Sequence, residues 1–289
     1  MSHLVIRDLT PGDVPECGRI LYAAFSDIAQ RHGFPPDFRS QEFASGLIGF
    51  LQNHSYAVVA ERDGQLLGSN FLAEGDPVAA VGPLSVDPEI QESGVGRALM
   101  AAVIERGRSS HAVRLVQDAF NATSMALYAS LGFDVRDPLV LLSGLPRATE
   151  PSVDDELEVR ALAESDLDEC AALCQKVHGI TRSHELRGGL GALRGLVGLR
   201  EGRISAYAST LDLWFAAHAV AATEADMQAL ILAAAAGRSE SLSFLLPTRQ
   251  AALFRVLLAQ GMRIIKPMTL MTLGPYQQPA GSYLPSVGY

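Results

Sequence analysis

Apolar and polar residues alternate through LVIRDL at positions 4–9, and this two-residue period predicts a short strand. From 11 to 31 the apolar spacing lengthens to three and four residues, which predicts a helix. A second helix is expected near 40–52, beyond a proline-containing loop at 33–37. Tyr56–Glu61 and Leu66–Glu74 alternate again around RDGQ, where Asp-Gly supplies the positive-φ residues of a tight hairpin turn. Val78–Val86 reads as the next strand, 94–108 as a helix, Val113–Ala119 as a strand, 121–131 as a helix and 134–143 as a last strand. A meander followed by strand–helix–strand alternation predicts an α/β (α+β) architecture: a mixed, mostly antiparallel sheet flanked by helices.

The pattern then recurs. LVIRDLTPGDVPEC at 4–17 and LEVRALAESDLDEC at 157–170 share Leu4/Leu157, Arg7/Arg160, Leu9/Leu162, Asp13/Asp166, Glu16/Glu169 and Cys17/Cys170 in a single register. Both copies read as strand, turn and a helix with an acidic start, where the helix dipole favours negative charge. A chain of 289 residues exceeds most single cores, so two tandem copies of one module are expected. Their expected bounds are 1–146 and 157–289, joined by a linker at 147–156 rich in proline, serine and charge.

Composition narrows the function. Hydrophobic residues make up 48% of the chain, and the net charge of −9 argues against a nucleic-acid partner. No run reaches membrane-spanning length and no apolar leader follows Met1, so a cytoplasmic protein without a membrane partner is expected. Cys17, Cys170 and Cys174 are odd in number and lie in helix-like segments, as reduced core residues do. The scattered histidines lack ligand spacing, so no metal is expected.

SVDPEIQESGVGRALM at 85–100 places Gly94 and Gly96 where a helix must begin. A helix N-terminus offers unpaired N–H groups and a partial positive charge, and glycine lets a ligand approach the backbone. Arg97 in the first turn adds a charge-assisted donor. A dinucleotide fingerprint would need Gly or Ala where Leu99 stands, and no Gly-Lys-Ser/Thr of a triphosphate loop occurs.

GPLSVDPEIQESGVGRALM resembles the coenzyme A signature of the GNAT superfamily of N-acetyltransferases, and NATSMALYASLGF at 121–133 resembles that family's second signature. The resemblance implies two tandem GNAT-like domains, each with a splayed cofactor cleft. Acetyl-CoA would lie with its pantetheine arm along Leu84, Ser85 and Val86. Gln91, Glu92, Ser93, Gly94, Val95, Gly96, Arg97 and Ala98 would grip its pyrophosphate, and Asn121 would contact the pantetheine. Tyr128 matches the family's frequent general acid, and Glu74 is carried as a candidate base. The acceptor would be a primary amine, free or at a peptide N-terminus, attacking directly; a homodimer is admissible. A non-catalytic acyl-CoA sensor or scaffold is the alternative from another class.

The second copy lacks these groups. Aligning GRAL at 96–99 with MQAL at 227–230 sets Ala225 opposite Gly94 and Met227 opposite Gly96; Leu257 falls opposite Tyr128. This copy is therefore expected to be degenerate, covering the substrate cleft or forming an interface. The aromatic tail, GPYQQPAGSYLPSVGY, is expected to pack on a domain.

Overall fold

The computed structural model describes residues 3–90, 94–147 and 157–288. The first copy contains β1 (Val5–Asp8), α1 (Val14–His32), α2 (Gln41–His54), β2 (Tyr56–Arg62), β3 (Gln65–Ala73), β4 (Val78–Val81), β5 (Ser85–Val86), α3 (Val95–Arg106), β6 (Ala112–Asp118), α4 (Ala122–Ser130) and β7 (Asp134–Gly144). The second contains β8 (Glu158–Ala161), α5 (Leu167–His178), α6 (Ser183–Gly189), β9 (Leu196–Arg200), β10 (Arg203–Ala208), β11 (Ala219–Ala221), α7 (Glu224–Ala235), β12 (Leu242–Pro247), α8 (Ala251–Ala259), β13 (Arg263–Leu273) and β14 (Ser282–Leu284). Most of the expected linker lies outside the described residues.

Local chemistry accounts for the boundaries. The β2–β3 hairpin turns at Asp63 (φ 52°) and Gly64 (φ 81°), the conformation that Asp-Gly favours. Ser40 caps α2 by accepting the Phe43 N–H at 3.2 Å. The strand expected over Val78–Val86 is split. Gly82 sits at φ 130° and Pro83 has no N–H to donate, so β5 leaves β4 and pairs back onto β3, Ser85 with Ser69 and Val86 with Gly68. The recurring Arg and Asp do the same work in both copies. Arg7 holds Asp13 at 2.7 and 2.9 Å, and Arg160 holds Asp166 at 2.6 and 2.8 Å. Each aspartate also accepts a backbone N–H, from Thr10 or Ala163, and so ties a strand to the turn before its helix.

The two copies do not keep separate sheets. One sheet runs β1-β2-β3-β4-β6-β13-β7-β12 with β5 on β3, and among the described residues only the β4–β6 pair is parallel. β13 of the second copy thus lies between β6 and β7 of the first, while β12 pairs with the far edge of β7. β6 and β7 of the first copy thus alternate with β13 and β12 of the second, and β7 and β13 face each other with Leu139 opposite Met268. The remaining sheet, β14-β11-β10-β9-β8, is antiparallel.

The exchange is stabilised by burial on both sides. Met271 of β13 enters the core made by Leu99, Met100, Val103 and Leu115, while Val140 and Leu142 of β7 enter the core around Leu230 and Phe244. Each such fully buried side chain contributes roughly 1.5–3 kcal/mol. The exchange also covers edges of β6 and β7 that would otherwise present unpaired backbone groups.

Candidate active site

Gly94 is the N-cap of α3 at φ 81°, and among the described residues no side chain caps this helix end. The first N–H groups of a helix have no intrahelical partner, so those of Val95, Gly96 and Arg97 point outward. The Ala98 N–H is already used, donating to the Gly94 carbonyl at 3.1 Å. A Cβ on Gly96 would meet Leu127 at 3.5 Å and Val86 at 3.7 Å, both ordinary contacts. The chain's own packing therefore does not demand glycine there, whereas a close-lying ligand would. The exposed Arg97 donates from Nη2 to Ser130 Oγ at 2.7 Å. Gln91, Glu92 and Ser93 lie outside the described residues.

A cavity of about 1090 Å³ opens beside this helix end. β4 and β6 pair only over Val78–Ala80 and Ala112–Arg114; β6 then pairs with β13 on its other side, and β5 pairs with β3. The cavity is lined by Val81 of β4, Leu84 of the connection and Val86 of β5, from β6 by Leu115 to Asp118, and from α4 by Ser124 and Tyr128. Ser85 is buried, its hydroxyl 3.2 Å from that of Ser69. Asn121 lines the cavity and caps α4, its Oδ1 accepting the Ser124 N–H at 3.1 Å. Tyr128 is buried, and burial pushes its phenol up to about 12, so it is protonated throughout the physiological range.

The carboxylates differ in employment. Glu74 stands at the cavity rim with Arg106 Nε 3.1 and 3.2 Å from its two oxygens. Asp76 accepts the backbone N–H groups of His184 and Glu185 at 2.9 and 3.0 Å, joining the first copy to the start of α6. Asp118 closes β6 inside the cavity wall, and burial raises its carboxyl above the ordinary range. Phe34 stacks on Phe120 with ring centroids 4.2 Å apart, while Phe38 lines the cavity.

The second copy, expected to cover the substrate cleft or form an interface, brings side chains to this cavity that the sequence alone did not single out. Leu193, Trp214, Phe215, Lys266, Val287 and Gly288 all line it. Lys266 Nζ donates to both oxygens of Asp37 at 2.6 and 2.8 Å, stands 2.6 Å from Asp118 Oδ1 and lies 5.2 Å from the centre of the Trp214 ring. A signal for it existed: Lys266 is the lone charge inside the apolar run IIKPMTLMTL.

The corresponding place in the second copy is closed. Helix starts set Thr223 opposite Gly94, two residues from the Ala225 that the sequence register placed there. Thr223 Oγ1 accepts the Asp226 N–H at 3.0 Å, Asp226 pairs with Arg200, and Glu224 accepts the Leu253 N–H at 2.8 Å. Gln250 stands at the N-cap position of α8, as Asn121 does at α4, but its side chain makes no cap bond; Leu257 holds the Tyr128 position. The Gln250 amide donates to the Tyr283 carbonyl at 2.7 Å and accepts the Tyr283 N–H at 3.2 Å. β14, part of the tail, pairs along β11 from Ala219–Leu284 to Ala221–Ser282. An extended segment of the chain itself therefore occupies the space between β11 and the start of α8.

The model of the acetyltransferase (GNAT) family matches residues 18–133. Residues 18–133 are thus similar to the GNAT acetyltransferases. A mycothiol acetyltransferase of Nocardiopsis dassonvillei is 40% identical over 146 residues, covering 48% of this chain and 40% of that protein. One from Thermomonospora curvata is 40% identical over 78 residues, covering 26% of each. The chain thus spans less than half the length of these curated relatives in the matched regions. Two solved structures share the GNAT fold across the chain: one from Pyrococcus horikoshii (TM-score 0.72, 16% identity, 97% of this chain and 92% of that one), and the GCN5-related N-acetyltransferase of Sphaerobacter thermophilus (0.62, 14%, 96% and 98%). Among the described residues, no group of three or more His, Cys, Asp or Glu is arranged to hold a metal ion, and no helix is long and apolar enough to cross a membrane.

Proposed function

We propose that this chain is an acetyl-CoA-dependent N-acetyltransferase in which the first copy holds the cofactor and the second walls the acceptor side. One observation carries the reading: the uncapped glycine start of α3 opens on a cavity that ends at a buried, protonated Tyr128. The outward N–H groups of Val95, Gly96 and Arg97, with Gln91, Glu92 and Ser93 before them, bind the pyrophosphate. The pantetheine arm follows Leu84–Val86, whose strand pairs on one side with β3, and meets the Asn121 amide. The seating of β14 along β11, against Gln250 at the Asn121 position, supports this path.

Acetyl-CoA supplies the thioester acyl group. Tyr128 gives its proton to the leaving sulfur as general acid. Glu74, clasped by Arg106, is the candidate proton acceptor; an unchanged kcat in Glu74→Gln would remove it. Direct attack by the amine is favoured over an acyl-cysteine route. All three cysteines are buried, none lines the cavity, and burial pushes the Cys17 and Cys170 thiols up to about 12 and Cys174 to about 11.

Calorimetric titration of acetyl-CoA into wild type and Gly96→Glu tests the reading, followed by thiol release with primary amines and peptide N-termini. One site per chain, lost in the variant, with amine-dependent thiol release, is expected. The relatives' name makes mycothiol acetylation the first acceptor chemistry to assay. Binding without turnover on any amine would favour an acyl-CoA sensor or scaffold.

A further inference from the structure

Asp37 from the α1–α2 loop, Asp118 from the end of β6 and Lys266 from β13 meet in the cavity wall, with side chains 9%, 9% and 2% exposed. Two carboxylates and one ammonium leave a buried cluster one negative charge out of balance, which is costly without a further cation. Lys266 Nζ lies 2.6 Å from Asp118 Oδ1 and 2.6 and 2.8 Å from the two Asp37 oxygens, so one ammonium is shared between both carboxylates. The face of Trp214 beside Lys266 is itself attractive to cations.

The rest of this wall is aromatic. Phe25, Phe38, Trp214 and Phe215 line the cavity, and Phe43 and Phe50 stand in it 37% and 57% exposed. Large apolar side chains left open in a concave wall match an apolar ligand body. We propose that the acceptor is a small-molecule primary amine on an apolar, aryl-sized body, its ammonium group received by the Asp37–Lys266–Asp118 cluster that both copies build. This deepens the acetyltransferase reading and rests on it. Lys266 is a positioning residue here, fixing Asp37 and Asp118. An acceptor with a carboxylate beside its amine is repelled by the same two aspartates.

The test measures thiol release by the full chain with phenethylamine and with ethanolamine, beside an acetyl-CoA titration of every protein. Wild type should show a kcat/KM for phenethylamine about 30-fold above that for ethanolamine. Asp37→Asn should raise the phenethylamine KM about tenfold with little change in kcat or in acetyl-CoA affinity. Phe50→Ala, at an exposed position that folding tolerates, should raise it about fivefold and decides the matter if Asp37→Asn fails to fold. Equal use of the two amines, or an unchanged phenethylamine KM in the folded variants, overturns this inference alone. A wild type that binds no acetyl-CoA, or releases no thiol with any amine, overturns the acetyltransferase reading beneath it.

Discussion

The starts of α3 and α7 occupy equivalent places in the two copies and differ in who satisfies them. At α3 the cap is a glycine without a side chain, and the outward N–H groups are left to a ligand. At α7 the Thr223 hydroxyl accepts the Asp226 N–H, and Glu224 beside it accepts the Leu253 N–H of α8. A helix start that its own sequence leaves uncapped is available to an anion, and a carboxylate placed there disfavours one. A second contrast lies beside these helices: a cavity opens next to α3, whereas the second copy lays its own β14 along β11.

The largest expected effect comes from making the first site like the second. Gly96→Glu sets a carboxylate against a bound phosphate and should weaken acetyl-CoA binding on the order of a thousandfold by calorimetry. Unaltered affinity would break the comparison. Acid comes next, acting on the self-satisfied copy. Burial holds His218 down to about 4 and His178 well below its ordinary value, so the unfolded chain takes up protons near pH 6.5 that the folded chain refuses. Stability is full above pH 6.5 and falls as pH drops toward 4, by about 3 kcal/mol for His218 alone. Urea midpoints measured across that window check it. Asp13 and Asp166, held low by their arginines, add their own loss only at lower pH, below the ordinary aspartate range.

Tyr128→Phe should lower kcat about a hundredfold while leaving acetyl-CoA affinity in place, measured by thiol release and titration together. The smallest effect sharpens the comparison from the other side. Thr223→Ala should cost about 1 kcal/mol of stability, read by denaturation, and leave acetyl-CoA stoichiometry and affinity untouched.

Local elements were legible because their signals are local. The Asp-Gly hairpin, the split between helical and alternating periods, the Arg–Asp repeat and the glycines before α3 all act within a few residues. The register of α4 on α8 was legible too, and Leu257 stands where Tyr128 does. The reading stopped where contacts became distant. Nothing in the alternation of β13 says that its neighbours are β6 and β7 of the other copy. Lys266 and Asp37 lie 229 positions apart. The α7 register slipped by two residues because the real signal there was a Thr cap, not a matching tetrapeptide.

The insertion of β13 between β6 and β7 also sets an order of events at the ribosome. β6 and β7 are made early, yet the strand that belongs between them is among the last to emerge, roughly ten seconds of synthesis later. Through that interval the nascent first copy carries two raw strand edges and an incomplete core that lacks Met271. Such long-range pairing is slow to form and prone to misassembly. A fragment cut at the boundary between the copies would remain at this stage, so the first copy is not expected to stand alone as a folded unit.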